Sequence, residues 1–129
     1  MESSPMMAVV DTHTLIWYFE GKPSLGKKAK EIMLNQDVEL IVPVIVLCEF
    51  LYYLRKSRRQ DAYQTVLGII MGNPKYKIVP IISEHVSIIP PHLEMHDGLI
   101  AACLQSYPQA ILLSRDPDLK KWGRERVVW

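Results

Sequence analysis

The stretch Met7-Ala8-Val9-Val10-Asp11-Thr12 decides the fold, because four apolar residues end abruptly at a carboxylate and a hydroxyl. A short apolar run of this kind is typical of a buried strand. An aspartate directly after such a strand can also cap the helix that follows it. The stretch therefore predicts an α/β domain in which a carboxylate lies at the carboxyl end of the first strand.

Short apolar runs alternate with longer amphipathic stretches along the rest of the chain, which is the pattern of strands joined by helices. Strands are predicted at residues 7–10, 39–42, 76–82 and 110–113, with a final edge strand at 127–129. Helices are predicted at residues 12–19, 25–35, 43–56, 60–71, 83–89, 97–106 and 119–122, with Ser24 and Ser83 as caps. Helical crossovers imply a mostly parallel sheet. In such sheets the functional crevice lies beyond the carboxyl ends of the strands.

Length and composition indicate one globular domain. The 129 residues fit a single domain over 1–129, in which residues 1–6 are expected to form a flexible N-terminal extension. A hydrophobic content of 49% can fill a core, so disorder and a coiled coil are excluded. The net charge of +1 removes the argument for a strongly basic nucleic-acid binder, so that any such contact must come from local patches.

The cysteines and the apolar stretches point to a reducing, aqueous compartment. Cys48 and Cys103 lie in apolar runs and are interpreted as buried hydrophobes, because they lack the clustering of a zinc site or a disulfide framework. The N-terminus does not look like a signal peptide. The most apolar stretch, residues 40–54, contains Pro43 and Glu49 and is shorter than a membrane span. A cytoplasmic protein without membrane contact is expected.

Four acidic residues lie in apolar surroundings, where a carboxylate is costly unless it is paired or binds a metal. They are Asp11, Glu49, Asp97 and Asp116. Simpler interpretations exist for three of them: Asp11 and Asp97 could cap helices, and Asp116 before Pro117 could form a turn. Glu49 is the hardest to explain in this way, because it interrupts an apolar helix and precedes the nearest basic residue on that helix, Arg55, by more than a turn.

The four acids together suggest a metal site. Asp11 and Asp116 both follow strands, so both can face the same edge of a parallel sheet. If all four converge, only Arg115 among their immediate sequence neighbours could neutralise them. One or two divalent cations could do so, and carboxylate ligation suits Mg²⁺ or Mn²⁺. Two such ions can stabilise the attacking and leaving oxygens of a phosphodiester displacement.

The segments around these acids resemble the PIN domain family, and in particular VapC-type toxin ribonucleases of toxin–antitoxin pairs. The matching segments occur in the family's order and span nearly the whole chain; they are residues 9–17, 46–50, 96–102 and 112–116. The resemblance implies a three-layer α/β/α fold with a central parallel sheet. It also implies an RNA substrate, a cognate antitoxin protein and a homodimer.

The resemblance also assigns roles to residues. It implies that Asp11, Glu49, Asp97 and Asp116 are the catalytic, metal-binding acids of an endoribonuclease that uses metal-activated water. Ser114 matches a hydroxyl position that supports the acid cluster. Gly98 is a departure, because relatives often carry arginine there.

Other polar residues have competing interpretations. The basic cluster Arg55, Lys56, Arg58 and Arg59 could contact RNA phosphates, or it could be a solvated helix end. Asp118 is expected to cap the following short helix. His13 and His96 lie beside the acids, where a supporting or substrate role competes with ordinary surface histidine.

Two other functions remain open from the sequence. A catalytically silent PIN-like module that binds RNA or protein would keep the fold without turnover. A haloacid-dehalogenase-like phosphatase also begins with an aspartate after its first strand, but it needs a second acid two residues later. His13 occupies that position here, which disfavours the phosphatase.

Overall fold

The computed structural model describes residues 7–129, so the extension expected at residues 1–6 lies outside the described residues. Five strands form one sheet: β1 Met7–Val10, β2 Glu39–Pro43, β3 Tyr76–Val79, β4 Ile111–Leu113 and β5 Val127–Val128. Seven α-helices flank it: α1 Thr12–Glu20, α2 Lys27–Leu34, α3 Val44–Lys56, α4 Gln60–Gly72, α5 Ser83–Ser87, α6 Met95–Gln105 and α7 Pro117–Gly123. Every strand pair in this part of the chain is parallel, which confirms the predicted α/β class.

The strand order places β1 at the centre of the sheet. The order is β3-β2-β1-β4-β5, so the chain adds β2 and β3 on one side of β1 and later adds β4 and β5 on the other. The connection that follows β1 therefore leads toward β2 on one side, and the connection that follows β4 leads toward β5 on the other. A topological switch of this kind opens a crevice beyond the carboxyl ends of the strands.

The core explains why the central strands are uniformly apolar. Ala8, Val9 and Val10 of β1 are fully buried, and so are the central residues of β2 and β4. Strands covered by helices on both faces need this continuous apolar character rather than alternation. The buried run of β1 ends where the polar site begins.

Several predicted boundaries were wrong by a few residues. Ser24 does not cap α2, which starts at Lys27 after Gly26. Pro43 ends β2 in an extended conformation instead of opening the helix. The third strand ends at Val79, since Pro80 has no N–H for the sheet ladder.

Two other local predictions were corrected. Ser83 is the first residue of α5, and Ile82 takes the cap position. Cys103 is buried as expected, but Cys48 is exposed because it lies on the outer face of α3. The predicted edge strand is confirmed, since β5 pairs with β4 at one border of the sheet.

Across residues 7–129, no helix combines the length and the apolar character that a membrane crossing requires.

Candidate active site

Asp11 occupies the junction between β1 and α1. Its Oδ1 accepts hydrogen bonds from the Thr14 N–H at 2.9 Å and the Thr14 hydroxyl at 2.6 Å, so the predicted helix-capping role is confirmed. The side chain is buried, and this burial raises the pKa of Asp11. Contacts with the Ser114 hydroxyl and with Thr14 act in the opposite direction without cancelling the effect. A capping role alone does not require such burial.

Thr14 links Asp11 to the neighbouring strand. Its hydroxyl lies 2.6 Å from Asp11 Oδ1 and 2.7 Å from the carbonyl oxygen of Leu113 in β4. A hydroxyl has one hydrogen to donate, so these two oxygens compete for it. The fully buried Thr14 therefore ties the position of Asp11 to β4.

Asp116 lines the same cleft as Asp11 because β1 and β4 are adjacent parallel strands that end together, with Val10 opposite Leu113. Asp116 Oδ1 caps α7 by accepting from the N–H groups of Asp118 and Leu119 at 2.8 and 3.0 Å. The predicted cap at Asp118 is therefore wrong, since Asp118 donates its N–H to the cap.

Ser114 orients the loop that carries Asp116. Its buried hydroxyl accepts a hydrogen bond from the Asp116 N–H at 3.0 Å. The resemblance implied a supporting hydroxyl at this position, and the Ser114 hydroxyl here holds the backbone next to Asp116.

Glu49 reaches the same region from the second turn of α3. The Thr12 hydroxyl donates to Glu49 Oε1 at 2.5 Å, and His96 Nδ1 lies 3.2 Å from Oε2. Glu49 is thus fixed from both α1 and α6. This geometry explains the acidic interruption in an apolar helix, because the half-buried Glu49 side chain lines the cleft and has polar partners there.

Asp97 lies in the first turn of α6, and the structure excludes the cap that the sequence left open for it. Glu94 is the cap residue, since its carboxylate accepts from the Asp97 N–H at 2.7 Å. The helix also begins two residues earlier than predicted, so His96 lies within it. The Asp97 carboxylate is left free to face the neighbouring acids.

The four predicted acids line one cleft, together with Glu94. Burial and, after it, the charges of Asp116, Glu94, Asp11 and Glu49 together raise the pKa of Asp97 to about 7. The carboxylates therefore sense one another electrostatically. Arg115 also lines the cleft, but its guanidinium lies 5.7 Å from the centre of the Trp17 ring.

The donor set fits a hard divalent cation. In residues 7–129, no three carboxylate, histidine or cysteine side chains enclose a ready-made metal position. Mg²⁺ does not need one, since it keeps several waters and binds proteins through one or two carboxylates. The negative charges of the neighbouring acids add to the effect of burial in raising the pKa of Asp97, and a bound cation would neutralise these charges.

Comparison with known proteins identifies the family. The model of the PIN domain family matches residues 8–125, a range that contains all four acids. The chain belongs to the PIN domain family. A comparison with curated proteins found no match.

Solved structures share the fold of this PIN domain. A chain of a toxin–antitoxin complex from Klebsiella pneumoniae is 20% identical with a TM-score of 0.70, and the similarity covers 95% of this chain and 96% of that one. A chain of VapBC2 from Rickettsia felis, bound to a promoter DNA fragment, is 17% identical with a TM-score of 0.68, over 95% and 96% of the two chains. The PIN domain endonuclease Utp24 is 16% identical with a TM-score of 0.55, over 94% of this chain and 79% of that one.

The residues of the predicted basic cluster, Arg55, Lys56, Arg58 and Arg59, lie in different surroundings in the PIN domain. Arg59 Nη2 lies 2.7 Å from Glu20 Oε2, so this side chain is engaged in an ion pair away from the acids. Arg55 and Arg58 are exposed at the end of α3. Lys56 is the member that lines a groove next to the acid cleft.

Packing explains why the PIN domain has glycine at position 98. A Cβ on Gly98 would lie 2.5 Å from Cγ2 of Ile89. The Ile89 side chain therefore occupies the space next to the Cβ position of residue 98. An arginine here would require Ile89 to move.

Sequence reasoning missed three polar residues that shape the acid cleft: Thr12, Thr14 and Glu94. The two threonines follow Asp11 within one turn, and this spacing was an available signal for a hydroxyl-supported strand end. Glu94 gave no comparable signal, because its role depends on the exact start of α6.

Proposed function

We propose that this PIN domain is a metal-dependent endoribonuclease and the toxin of a toxin–antitoxin pair acting in the cytoplasm. The observation that carries the proposal is the convergence of Asp11, Glu49, Asp97 and Asp116 on one cleft, where the charges of the other three acids contribute to the raised pKa of Asp97. If these acids only stabilised the fold, their mutual repulsion would be an unfavourable contribution to the stability of the protein with no function to explain it. Family membership supports the same interpretation.

The chain's own residues would prepare the site for phosphodiester hydrolysis. Asp11 and Asp116, fixed by Thr14 and Ser114, would provide the ligands nearest the sheet. Glu49 and Asp97 would complete the acidic set from the helices. One or two bound Mg²⁺ or Mn²⁺ ions would supply Lewis acidity and a water of lowered pKa.

The reaction is tested on a mixed RNA pool incubated with Mg²⁺ or Mn²⁺, with and without EDTA. Cleavage that requires the metal and leaves a 5′-phosphate supports the proposal. Products with a 2′,3′-cyclic phosphate, or cleavage unchanged by EDTA, contradict it. An absence of cleavage under every metal condition favours the catalytically silent binding module.

An antitoxin partner is proposed from the two structural neighbours named as toxin–antitoxin complexes. Such a partner would inhibit by presenting a basic side chain to the carboxylates, in competition with the cation. Co-expression with the neighbouring reading frame tests this. We expect a small protein to co-purify and to suppress cleavage; co-purification without inhibition contradicts the proposed mode.

A homodimer is proposed on the exposed apolar side chains around α5. Ile81, Ile82, Val86, Ile88 and Met95 are all at least 39% exposed. Apolar surface of this kind is typical of an interaction site. Light scattering of the purified chain distinguishes a dimer from a monomer, and a Val86→Glu variant is expected to dissociate the dimer.

A further inference from the structure

A second groove adjoins the acid cleft between α1 and α3. The two depressions share Thr12, His13, Glu49 and His96, so the groove opens directly onto the candidate active site. Its volume of about 510 Å³ is within the range of small-molecule sites. This volume is large enough for a single nucleotide. We refer to it as the α1–α3 groove.

The side chains particular to the α1–α3 groove combine an aromatic ring with a cation. Tyr52 is 65% exposed, which is unusual for so large an apolar surface. The ammonium group of Lys56 lies 5.5 Å from the centre of the Tyr52 ring. Ile16 and Ile45 line the groove as well, and the exposed Cys48 lies beside them.

Resting on the proposed ribonuclease function, we propose that the α1–α3 groove binds the nucleotide next to the scissile phosphate of single-stranded RNA. Its base stacks on Tyr52, and Lys56 contacts the adjoining phosphate. Aromatic platforms flanked by cations are the usual means of binding single strands without sequence readout. The shared boundary at Glu49 makes the path continuous with the acids.

The position of Lys56 agrees with this path. It follows Glu49 by seven residues on α3, which is about 10 Å along the helix axis. The lysine is therefore near the acids without neutralising them. It would attract the phosphate chain toward a cleft whose own charge repels it.

A peptide segment is the less suitable occupant. A docked amphipathic helix needs a long apolar strip that receives anchors at successive turns. Ile16, which would form part of such a strip, is only 4% exposed. The exposed residues among those that line the groove are His13, Cys48, Tyr52 and Lys56, and of these Tyr52 and Lys56 offer stacking and charge.

Binding is tested with a short fluorescein-labelled single-stranded RNA and Mg²⁺, in an Asp97→Asn background that prevents cleavage. Tyr52→Ala is expected to weaken affinity about 10-fold, while Tyr52→Phe retains it. Lys56→Met should reduce the slope of log affinity against log salt by about 1. Lys77→Met is the matched control, because the exposed Lys77 lies 5.6 Å from the Tyr107 ring, outside both the groove and the acid cleft.

The exposed cysteine provides an independent test that needs no aromatic substitution. N-ethylmaleimide should modify Cys48 and spare the buried Cys103. We expect modification to reduce RNA affinity in the parent. The affinity of Cys48→Ala measured before and after the same treatment should not differ.

The outcomes separate this proposal from the ribonuclease function. If the parent does not cleave RNA but binds it in a Tyr52-dependent way, the nuclease proposal fails; the groove then remains a binding site for single-stranded RNA, and its assignment to the nucleotide beside a scissile phosphate is overturned. If the parent cleaves RNA and Tyr52→Ala, Lys56→Met and the modified protein bind it normally, the groove assignment is overturned. Loss of a co-purifying protein from Tyr52→Ala with unchanged RNA affinity also overturns it, in favour of a protein surface.

Discussion

The carboxylates at the two ends of helix α1 have pKa values shifted in opposite directions. At its start, Asp11 lies in a cleft with three other predicted acids, and burial raises its pKa. At its end, burial also raises the pKa of Glu20, but hydrogen bonds from Arg59 and Tyr53 and the charge of Arg59 outweigh it, so the net pKa is lowered. The hydroxyl of Tyr53 lies 2.8 Å from Glu20 Oε2.

This difference separates a structural carboxylate from a candidate catalytic one. Glu20 has a guanidinium and a phenol as partners and so stabilises the contact between α1 and the end of α3. Three of the acids at the other end accept hydrogen bonds from hydroxyl or backbone groups, but none of the four forms an ion pair with a lysine or arginine of residues 7–129. Buried charge that the fold leaves uncompensated is the better indicator of chemistry.

Among the variants proposed for the two ends of α1, Asp97→Asn should show the largest loss of RNA cleavage relative to the parent. Loss of one ligand should reduce RNA cleavage by about 100-fold or more, beyond the usual cost of losing a supporting residue. Relief of repulsion should raise the metal-free unfolding free energy by about 0.5–2 kcal/mol. Cleavage assays and thermal melts with and without Mg²⁺ measure both, and Mg²⁺ should stabilise the parent more than the variant.

Asp118→Asn is the matched control for that variant, since Asp118 is exposed on α7 and does not line the cleft. It should change neither cleavage nor stability appreciably. Full activity in Asp97→Asn would remove Asp97 from the proposed ligands.

A smaller effect is expected from Thr14→Val, which keeps the shape and removes the hydroxyl between Asp11 and Leu113. Cleavage should fall about 10-fold because Asp11 loses a hydrogen bond that orients it. Thr14→Ser retains the hydroxyl and should retain most activity. Equal losses in both variants would indicate a packing effect instead.

At the compensated end of α1, Glu20→Ala should affect stability alone. It removes the acceptor of Tyr53 and Arg59, which should lower the unfolding free energy by about 1–2 kcal/mol. Urea denaturation measures this loss, and the cleavage rate of the folded variant should match the parent. A parallel loss of activity would show that the two ends are coupled through α1.

The smallest expected effect is that Asp97 and Glu20 make the stability of the metal-free protein depend on pH in opposite directions. The pKa of Asp97 is raised from 3.8 to about 7, so the folded state resists its ionisation and metal-free stability falls as pH rises through this window. Solvent screening of this partly exposed group limits the change to about 1 kcal/mol. Glu20, with its lowered pKa, stabilises above its ordinary value of 4.5 and loses this contribution below it.

Denaturation of the metal-free parent and of Asp97→Asn is compared between pH 5 and pH 7.5, where Glu20 contributes fully, and the difference between the two slopes gives the Asp97 effect. Asp97→Asn should flatten the slope. A parent whose stability rises over this interval would contradict the assignment.

The sequence predicted the sheet and the four acids because both depend on local pattern. The apolar runs before Asp11 and Asp116 marked strands, and the scarcity of basic neighbours, of which Arg115 is the exception, marked the acids as unusual. The pairing of Arg59 with Glu20 and the exposure of Cys48 depend on how α1 and α3 pack, which no local pattern records. The cap at Glu94 was missed because helix starts depend on a choice among nearby polar residues.

The central position of β1 has a consequence for folding during synthesis. The Thr14 hydroxyl donates to the carbonyl oxygen of Leu113 in β4, which lies 99 residues later in the sequence. Asp116 follows β4 and is therefore synthesised later still. Contacts of such separation form slowly, since a long loop must close first. On the ribosome, the N-terminal half can pair β1 with β2, but the acid cleft is completed only after β4 has emerged and docked. A nascent chain would thus carry no assembled cleft until most of it has been translated.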